Sequence, residues 1–192
     1  EQIAPYPLFV KPANLGSSVG ISKARNREQL AEALQLAAKF DRRILVERGI
    51  SPREIEISVL GNTEVQCTVP GEIVPGDEFY TYKDKYQSGD PEVAIPAPLP
   101  EAQIALLQQY AISAFKAIDG AGLSRVDFLI DKLTGEAYFN EINTMPGFTQ
   151  ISMYPKLWLY SGLSYPELVN RLVELALERK AEQDETIRKY EE

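Results

Sequence analysis

The chain has 192 residues, 44% hydrophobic and 25% charged, with 28 acidic against 20 basic side chains and a net charge of −8, a composition ordinary for one or two domains of a soluble, enzyme-like protein. The acidic balance disfavours nucleic acid or an anionic membrane as partner, because either needs a net basic face. With no histidine in the chain, Ser-His-Asp catalysis and imidazole metal sites are excluded, so chemistry rests on carboxylates, Lys, Arg, Tyr, Ser and backbone.

The first residues, "EQIAPYPLFVKP", begin without methionine and enter an apolar strand almost at once, which reads as the interior of a longer chain. No export pattern and no apolar run of about 20 residues is present, so a cytoplasmic protein is expected. "LFVKP" (8–12) and "VGISKA" (19–24) read as strands of a hairpin with a glycine- and serine-rich tip. "NREQLAEALQLAAKF" (26–40) predicts a helix starting at Asn26 with Gln29 three residues on, and "RILVE" (43–47) a strand ending on Glu47. "SPREIEISVLGN" (51–62) alternates Ile55, Ile57 and Val59 with Glu54, Glu56 and Ser58, the period of a half-buried strand, and turns at Gly61-Asn62 toward "EVQCTVPGEIVP". Cys67, the single cysteine, lies in that apolar stretch and reads as a core thiol of a reducing compartment.

Residues 76–100 carry Gly, Pro, Asp and aromatic side chains without a helical period and predict a long loop. An amphipathic helix follows over 101–119, with Ile104, Leu107, Ala111, Ala114, Phe115 and Ile118 on one side. "SRVDFLI" (124–130) and "EAYFNEIN" (136–143) predict strands closed by a three-residue loop, Leu133 to Gly135. The last element is a helix over 164–183 with a Ser164 to Glu167 capping box, followed by a charged tail.

That loop sets Asp131 opposite Ala137, Asp127 opposite Glu141 and Arg125 opposite Asn143. Asp127, Glu141 and Asn143 are then hard oxygen donors on one face, of the kind that hold Mg²⁺ with nucleotide phosphates; the alternative is a solvated strand face neutralised by Arg125. "VKPANLGSSVG" (10–20) is not a Walker loop, yet Lys11, Ser17, Ser18 and glycine-permitted amides could surround a polyphosphate; the alternative is a hairpin tip. In "FYTYKDKYQSGD" (79–90) Tyr80, Tyr82 and Tyr86 alternate with Lys83 and Lys85, which suits a lid over substrate or a surface loop. Pro146-Gly147 offers turn amides to a carboxylate or oxyanion, with Ser152 adding a hydroxyl.

Taken in order, "VKPANLGSSVGISK", "ILVERGISPREIEISVLG", "FYTYKDKY", "SRVDFLID" and "FNEINTMPGFTQISMYP" resemble the motifs of the D-alanine:D-alanine ligases, which are ATP-grasp enzymes. The resemblance runs from about residue 8 to residue 175. It implies an α+β, ATP-grasp fold in which two α+β subdomains grip ATP between antiparallel sheets. Residues 1–47 would belong to the central subdomain with its phosphate loop, and 48–192 to the C-terminal subdomain with lid and metal-binding hairpin. ATP would phosphorylate one D-alanine, and the amine of a second would attack the acyl phosphate and expel phosphate, for peptidoglycan precursor synthesis.

By the same resemblance Lys11 meets the nucleotide phosphates and the loop of Ser17 and Ser18 closes over them, Ser18 counting also among the catalytic groups. Glu47 and the backbone of Ile50 meet adenine, and Glu54 the ribose. Lys85 is the lid lysine near the phosphates, and Tyr86 the lid tyrosine beside substrate. Asp127 and Glu141 hold one Mg²⁺ and Glu141 and Asn143 a second, with Mn²⁺ as a substitute. Arg125 and the amide of Gly147 stabilise the tetrahedral intermediate, and Ser152 and the amide of Met153, where the family more often has Leu, hold the second substrate's carboxylate. Relatives making D-alanyl-D-lactate tend to carry histidine where this chain has Tyr86, which favours the dipeptide, with D-Ala-D-Ser left open.

The family's N-terminal domain, which supplies the site for the first D-alanine's ammonium, has no counterpart in these residues, so the same or another chain is expected to provide it. The full-length enzyme is expected to be a homodimer. Two other readings compete: another ATP-grasp carboxylate-amine ligase, or a truncated, non-catalytic nucleotide-binding module.

Overall fold

A computed structural model describes residues 4–16, 19–74 and 92–185. The described residues up to Ser51 form one compact unit, and Pro52–Val74 with the described residues from Glu92 onward form a second.

In the first unit β1 (Leu8–Pro12) lies between β2 (Ser22–Ala24) and β3 (Ile44–Arg48), all antiparallel. Strand β2 is shorter than the sequence period suggests, with pairing confined to residues 22–24. Helix α1 (Arg27–Ala37) starts where expected: the Asn26 Oδ1 accepts the Gln29 amide at 2.9 Å, and the Gln29 Oε1 accepts the Arg25 amide at 2.8 Å. It packs Ala33 and Ala37 on Val10, with Leu30, Leu34 and Ile44 around them. Alternation then turns Phe9 and Lys11 to the opposite side of the sheet, with Leu45 and Glu47 opposite them in register.

The second unit is built on a sheet of order β7-β6-β4-β8-β9, formed by β4 (Pro52–Gly61), β6 (Gly71–Val74), β7 (Glu92–Ala94), β8 (Gly122–Asp131) and β9 (Ala137–Asn143). A further short strand, β5 (Val65–Cys67), pairs with the end of β4. Helix α2 (Glu101–Ala117) lays Leu107, Ala111 and Phe115 on one face of this sheet, against Ile55, Ile57, Val59, Val126, Phe128 and Ile130. On the other face α3 (Met153–Tyr160) and α4 (Tyr165–Glu185) enclose Leu60, Tyr154, Trp158, Leu168 and Leu175. Cys67 lies half-buried beside the α2 core, and burial pushes its thiol up to about 11. At the start of α4 the Ser164 amide donates to Glu167 at 2.9 Å, one half of the expected capping box.

Two elements depart from the sequence expectation. Strand β7 falls inside the stretch expected to be loop; its short "EVA" is held by pairing with β6, Glu72 to Ala94 and Val74 to Glu92, which local sequence does not signal. Helix α3 lies in a stretch for which the sequence predicts no element; it carries Pro155 in its first turn, where a missing amide hydrogen removes no intrahelical bond.

A third departure lies in the β8–β9 hairpin. Its loop runs from Lys132 to Gly135: the Asp131 amide donates to the Glu136 carbonyl at 2.9 Å and the Gly135 amide to the Asp131 carbonyl at 2.8 Å. Ile130, not Asp131, therefore faces Ala137. The carboxylate of Asp131 accepts the Leu133 amide at 2.9 Å, and Gly135 takes φ 72°, a conformation glycine adopts at no steric cost. A β-bulge between Asp127 and Phe128, whose extra residue is Asn140, then shifts the register back. Beyond it Asp127 faces Glu141 and Arg125 faces Asn143, as the sequence predicts.

Candidate active site

The bulge decides which side chains of β9 meet the core. Ala137, on the loop side, and Ile142, beyond the bulge, both pack against the α2 cluster although they are an odd number of positions apart. Strict alternation could not place both there. The bulge reconciles them and leaves Glu141 and Asn143 on the face away from α2, beside Arg125 and Asp127.

Across three neighbouring strands that face forms two rows. Glu56, Asp127 and Glu141 are consecutive partners across β4, β8 and β9, and so are Ser58, Arg125 and Asn143 in the next row. Arg125 grips Asp127 with two parallel bonds, Nε to Oδ1 and Nη2 to Oδ2, both 2.7 Å. Its Nε also lies 3.1 Å from the Glu56 Oε2. Burial opposes the guanidinium's charge, but the Asp127 bonds and the charges of Glu56, Asp127 and Glu141 outweigh it and hold Arg125 above its ordinary value. The Asn143 Nδ2 donates to the Asp127 Oδ2 at 3.0 Å and the Glu141 Oε1 at 3.3 Å, bridging two carboxylates that would otherwise repel.

Glu56 is a member of this cluster that sequence reasoning overlooked; the signal was its phase with Glu54 and Ser58 on β4, opposite Asp127 once β4 and β8 pair. Glu54 itself is half-buried on the same face, opposite Leu129.

The residue types suit a hard divalent cation: two carboxylates beside an asparagine, with a third carboxylate in the row, although here Asn143 turns its NH2 to the carboxylates. Among the described residues no group of three or more His, Cys, Asp and Glu side chains is close enough to hold an ion. The positive charge beside Asp127 in this structure is Arg125.

Past β9 the chain forms a turn that ends at Ser152, the N-cap of α3. The Thr149 amide donates to the Ser152 Oγ at 3.0 Å and the Ser152 amide to the Thr149 carbonyl at 3.0 Å, so the serine closes its own turn and no side chain caps α3. The first amides of α3, Met153 among them, therefore suit an anion at the positive end of the helix. Two bonds stitch α3 to β4: Ser58 Oγ to the Tyr154 carbonyl at 3.2 Å, and Tyr154 Oη to the Val59 carbonyl at 3.0 Å. Phe148 lies against Tyr154 and Tyr165, and the Tyr165 Oη donates to its carbonyl at 3.1 Å.

Gly147 sits directly beside this turn: a Cβ there would come within 2.9 Å of the Ser152 Oγ. Gly147→Ala should displace Ser152 while leaving the core intact. We expect the KM of a substrate held at Ser152 to rise about tenfold, the cost of one misplaced polar contact, with little change in melting midpoint. An unchanged KM with a normal fold would mean that Ser152 does not touch substrate.

In the first unit Lys11 and Glu47 form an ion pair of 2.8 Å, and Glu47 remains 44% exposed; Ile50 is half-buried. Ser17, Ser18, Lys85 and Tyr86, with Tyr80, Tyr82 and Lys83, lie outside the described residues.

The family model described as the C-terminus of D-ala D-ala ligase matches residues 1–174. The chain belongs to the D-ala D-ala ligase C-terminal family. It is 62% identical to a D-alanine–D-alanine ligase of Heliobacterium modesticaldum over 177 residues, 92% of this chain and 48% of that relative. Among solved structures it resembles a D-alanine-D-alanine ligase from Coxiella burnetii, with a TM-score of 0.80 and 40% identity, covering 92% of this chain and 47% of that one. It also resembles the VanG D-Ala:D-Ser ligase from Enterococcus faecalis, with a TM-score of 0.78 and 36% identity over 89% of this chain and 50% of that one. This member of the family thus spans about half the length of the curated relatives it matches. Its described residues include no helix long and apolar enough to cross a membrane.

Proposed function

We propose that the protein carrying this chain is an ATP-dependent ligase that joins two D-alanines. The γ-phosphoryl group of ATP passes to the carboxylate of the first, giving an acyl phosphate and ADP. The amine of the second attacks the acyl carbon, phosphate leaves, and D-alanyl-D-alanine forms for peptidoglycan synthesis. The observation that carries this reading is the double row on the hairpin face, where Asp127, Glu141 and Asn143 meet beside Arg125 in a chain 62% identical to a D-alanine–D-alanine ligase.

Asp127, Glu141 and Asn143 would hold divalent cations such as Mg²⁺, which when bound neutralise phosphate charge during transfer. Arg125 offers a guanidinium anchored on one side by carboxylates, suited to an oxyanion on the acyl carbon. Ser152 and the Met153 amide, at the uncapped end of α3, would take the carboxylate of the second D-alanine. Lys11 and the loop of Ser17 and Ser18 would bind phosphates, Glu47, Ile50 and Glu54 the nucleoside, and Lys85 and Tyr86 the reacting groups from the lid. The first D-alanine's ammonium would be met by the half of the relatives' length that this chain does not span. An ATP-consuming step of this kind belongs in the cytoplasm.

The test is phosphate release by the full-length gene product with ATP, Mg²⁺ and D-alanine, D-alanine plus D-serine, or D-alanine plus D-lactate. D-alanine alone should support turnover and yield the dipeptide. No release with any D-amino acid would overturn the reading, and preferred incorporation of D-serine would move the protein to the class of the D-Ala:D-Ser ligase it resembles.

A further inference from the structure

Glu56 belongs to none of the roles assigned above, yet its surroundings are unusual. It lies in the middle of β4, 6% exposed, with α3 packed over the strand beyond it. A carboxylate so enclosed is costly unless a cation meets it, and the Arg125 Nε does so at 3.1 Å. Arg125 thus has two anionic partners of different kinds. Asp127 is one of the groups proposed to hold a cation; Glu56, on the far side of Arg125 in the next strand, is not.

We infer that Glu56 is a positioning residue, the permanent anchor that keeps Arg125 seated while Asp127 turns its oxygens from the guanidinium to a divalent cation. The inference rests on the proposed function. Its physical basis is competition between two positive charges for one carboxylate: both Asp127 oxygens are engaged by Arg125, 2.7 Å each. A cation that takes a further lone pair of either oxygen repels the guanidinium bound there and weakens those bonds. With Glu56 in place the guanidinium keeps a full counter-charge as it lets go, so the exchange is inexpensive and Arg125 stays beside the reacting carbon. Without Glu56 the anions left to Arg125, Asp127 and Glu141, are both ones the cation needs.

The experiment measures Mn²⁺ binding by electron paramagnetic resonance, in the presence of ADP, on the full-length protein and its Glu56→Gln and Glu56→Asp variants, with melting curves to verify folding. Aspartate keeps the charge but is one methylene too short to hold the 3.1 Å contact, which separates anchoring from the field of a nearby anion. Both variants should bind Mn²⁺ about fivefold more weakly than wild type, about 1 kcal/mol at 1.4 kcal/mol per tenfold. Their kcat should fall by at least tenfold with KM for ATP nearly unchanged, as expected for a misplaced group that acts only in the transition state. Aspartate binding Mn²⁺ like wild type while glutamine weakens it would overturn the inference in favour of charge alone. Unchanged binding in both variants, with or without a lower melting point, would overturn it in favour of a structural ion pair. If the wild type itself binds no Mn²⁺ but releases phosphate with D-alanine, the inference falls and the ligase reading stands; if it does neither, both fall.

Discussion

Replacing Glu141 with glutamine should reduce Mg²⁺-dependent turnover by about a thousandfold or more while leaving the fold intact, because the side chain keeps its volume and loses only the charge that a hard cation requires. The structure makes the stability side of this expectation specific. Glu141 lies opposite Asp127 and shares the Asn143 amide with it. Removing one of two adjacent like charges is neutral or slightly stabilising without a cation, by less than about 1 kcal/mol. Mg²⁺ with nucleotide should raise the melting midpoint of the wild type and fail to raise that of the variant. Turnover comparable to wild type would show that the hairpin face serves only the fold.

Arg125→Met should act in the opposite way, on stability first. It would leave Glu56, 6% exposed, and Asp127, whose side chain is 14% exposed, without their shared cation. Breaking such a pair from one side costs about 3–5 kcal/mol, because a buried charge is left uncompensated. Adding Glu56→Gln to Arg125→Met should restore part of the loss, and Mg²⁺ should stabilise the single variant more than the wild type. Denaturant melts of wild type, Arg125→Met, Glu56→Gln and the double variant measure all of this. A loss below about 1 kcal/mol would mean that water reaches the carboxylates freely and that the pair is a surface one. Activity should be lost as well, but only the melts separate a missing counter-charge from a missing oxyanion donor.

The parts of the fold legible in the sequence are those written in its periodicity. The 3.6-residue stripes of α1 and α2 and the alternation of β4 follow directly from which residues must be buried. The hairpin is more instructive. The sequence suggests a three-residue loop, one residue shorter than the loop that forms, and a regular ladder, where the structure has a bulge. The two differences cancel at Asp127 and Glu141, so the functional pairing follows even though Ala137 was placed opposite the wrong residue. Strand β7 was hidden by its dependence on an existing sheet edge, which is not visible in a local window. Glu56 was hidden differently. Its phase on β4 was plain, but that phase acquires meaning only when β8 pairs beside it, a long-range event.

The bulge at Asn140 has a further consequence for how this strand tolerates change. It divides β9 into two segments with independent phase: the loop-side half is keyed to the hydrophobic interior through Ala137, the other half to the chemistry through Glu141 and Asn143. A strand without such an interruption transmits every slip of its turn to its far end. Here the bulge restores the phase: a regular ladder that kept Asn140 in line would turn Glu141 and Asn143 to the oily side of the sheet, whereas deleting Asn140 would leave Ala137 and Ile142 four positions apart, both still inward, and the carboxylates still on the site face.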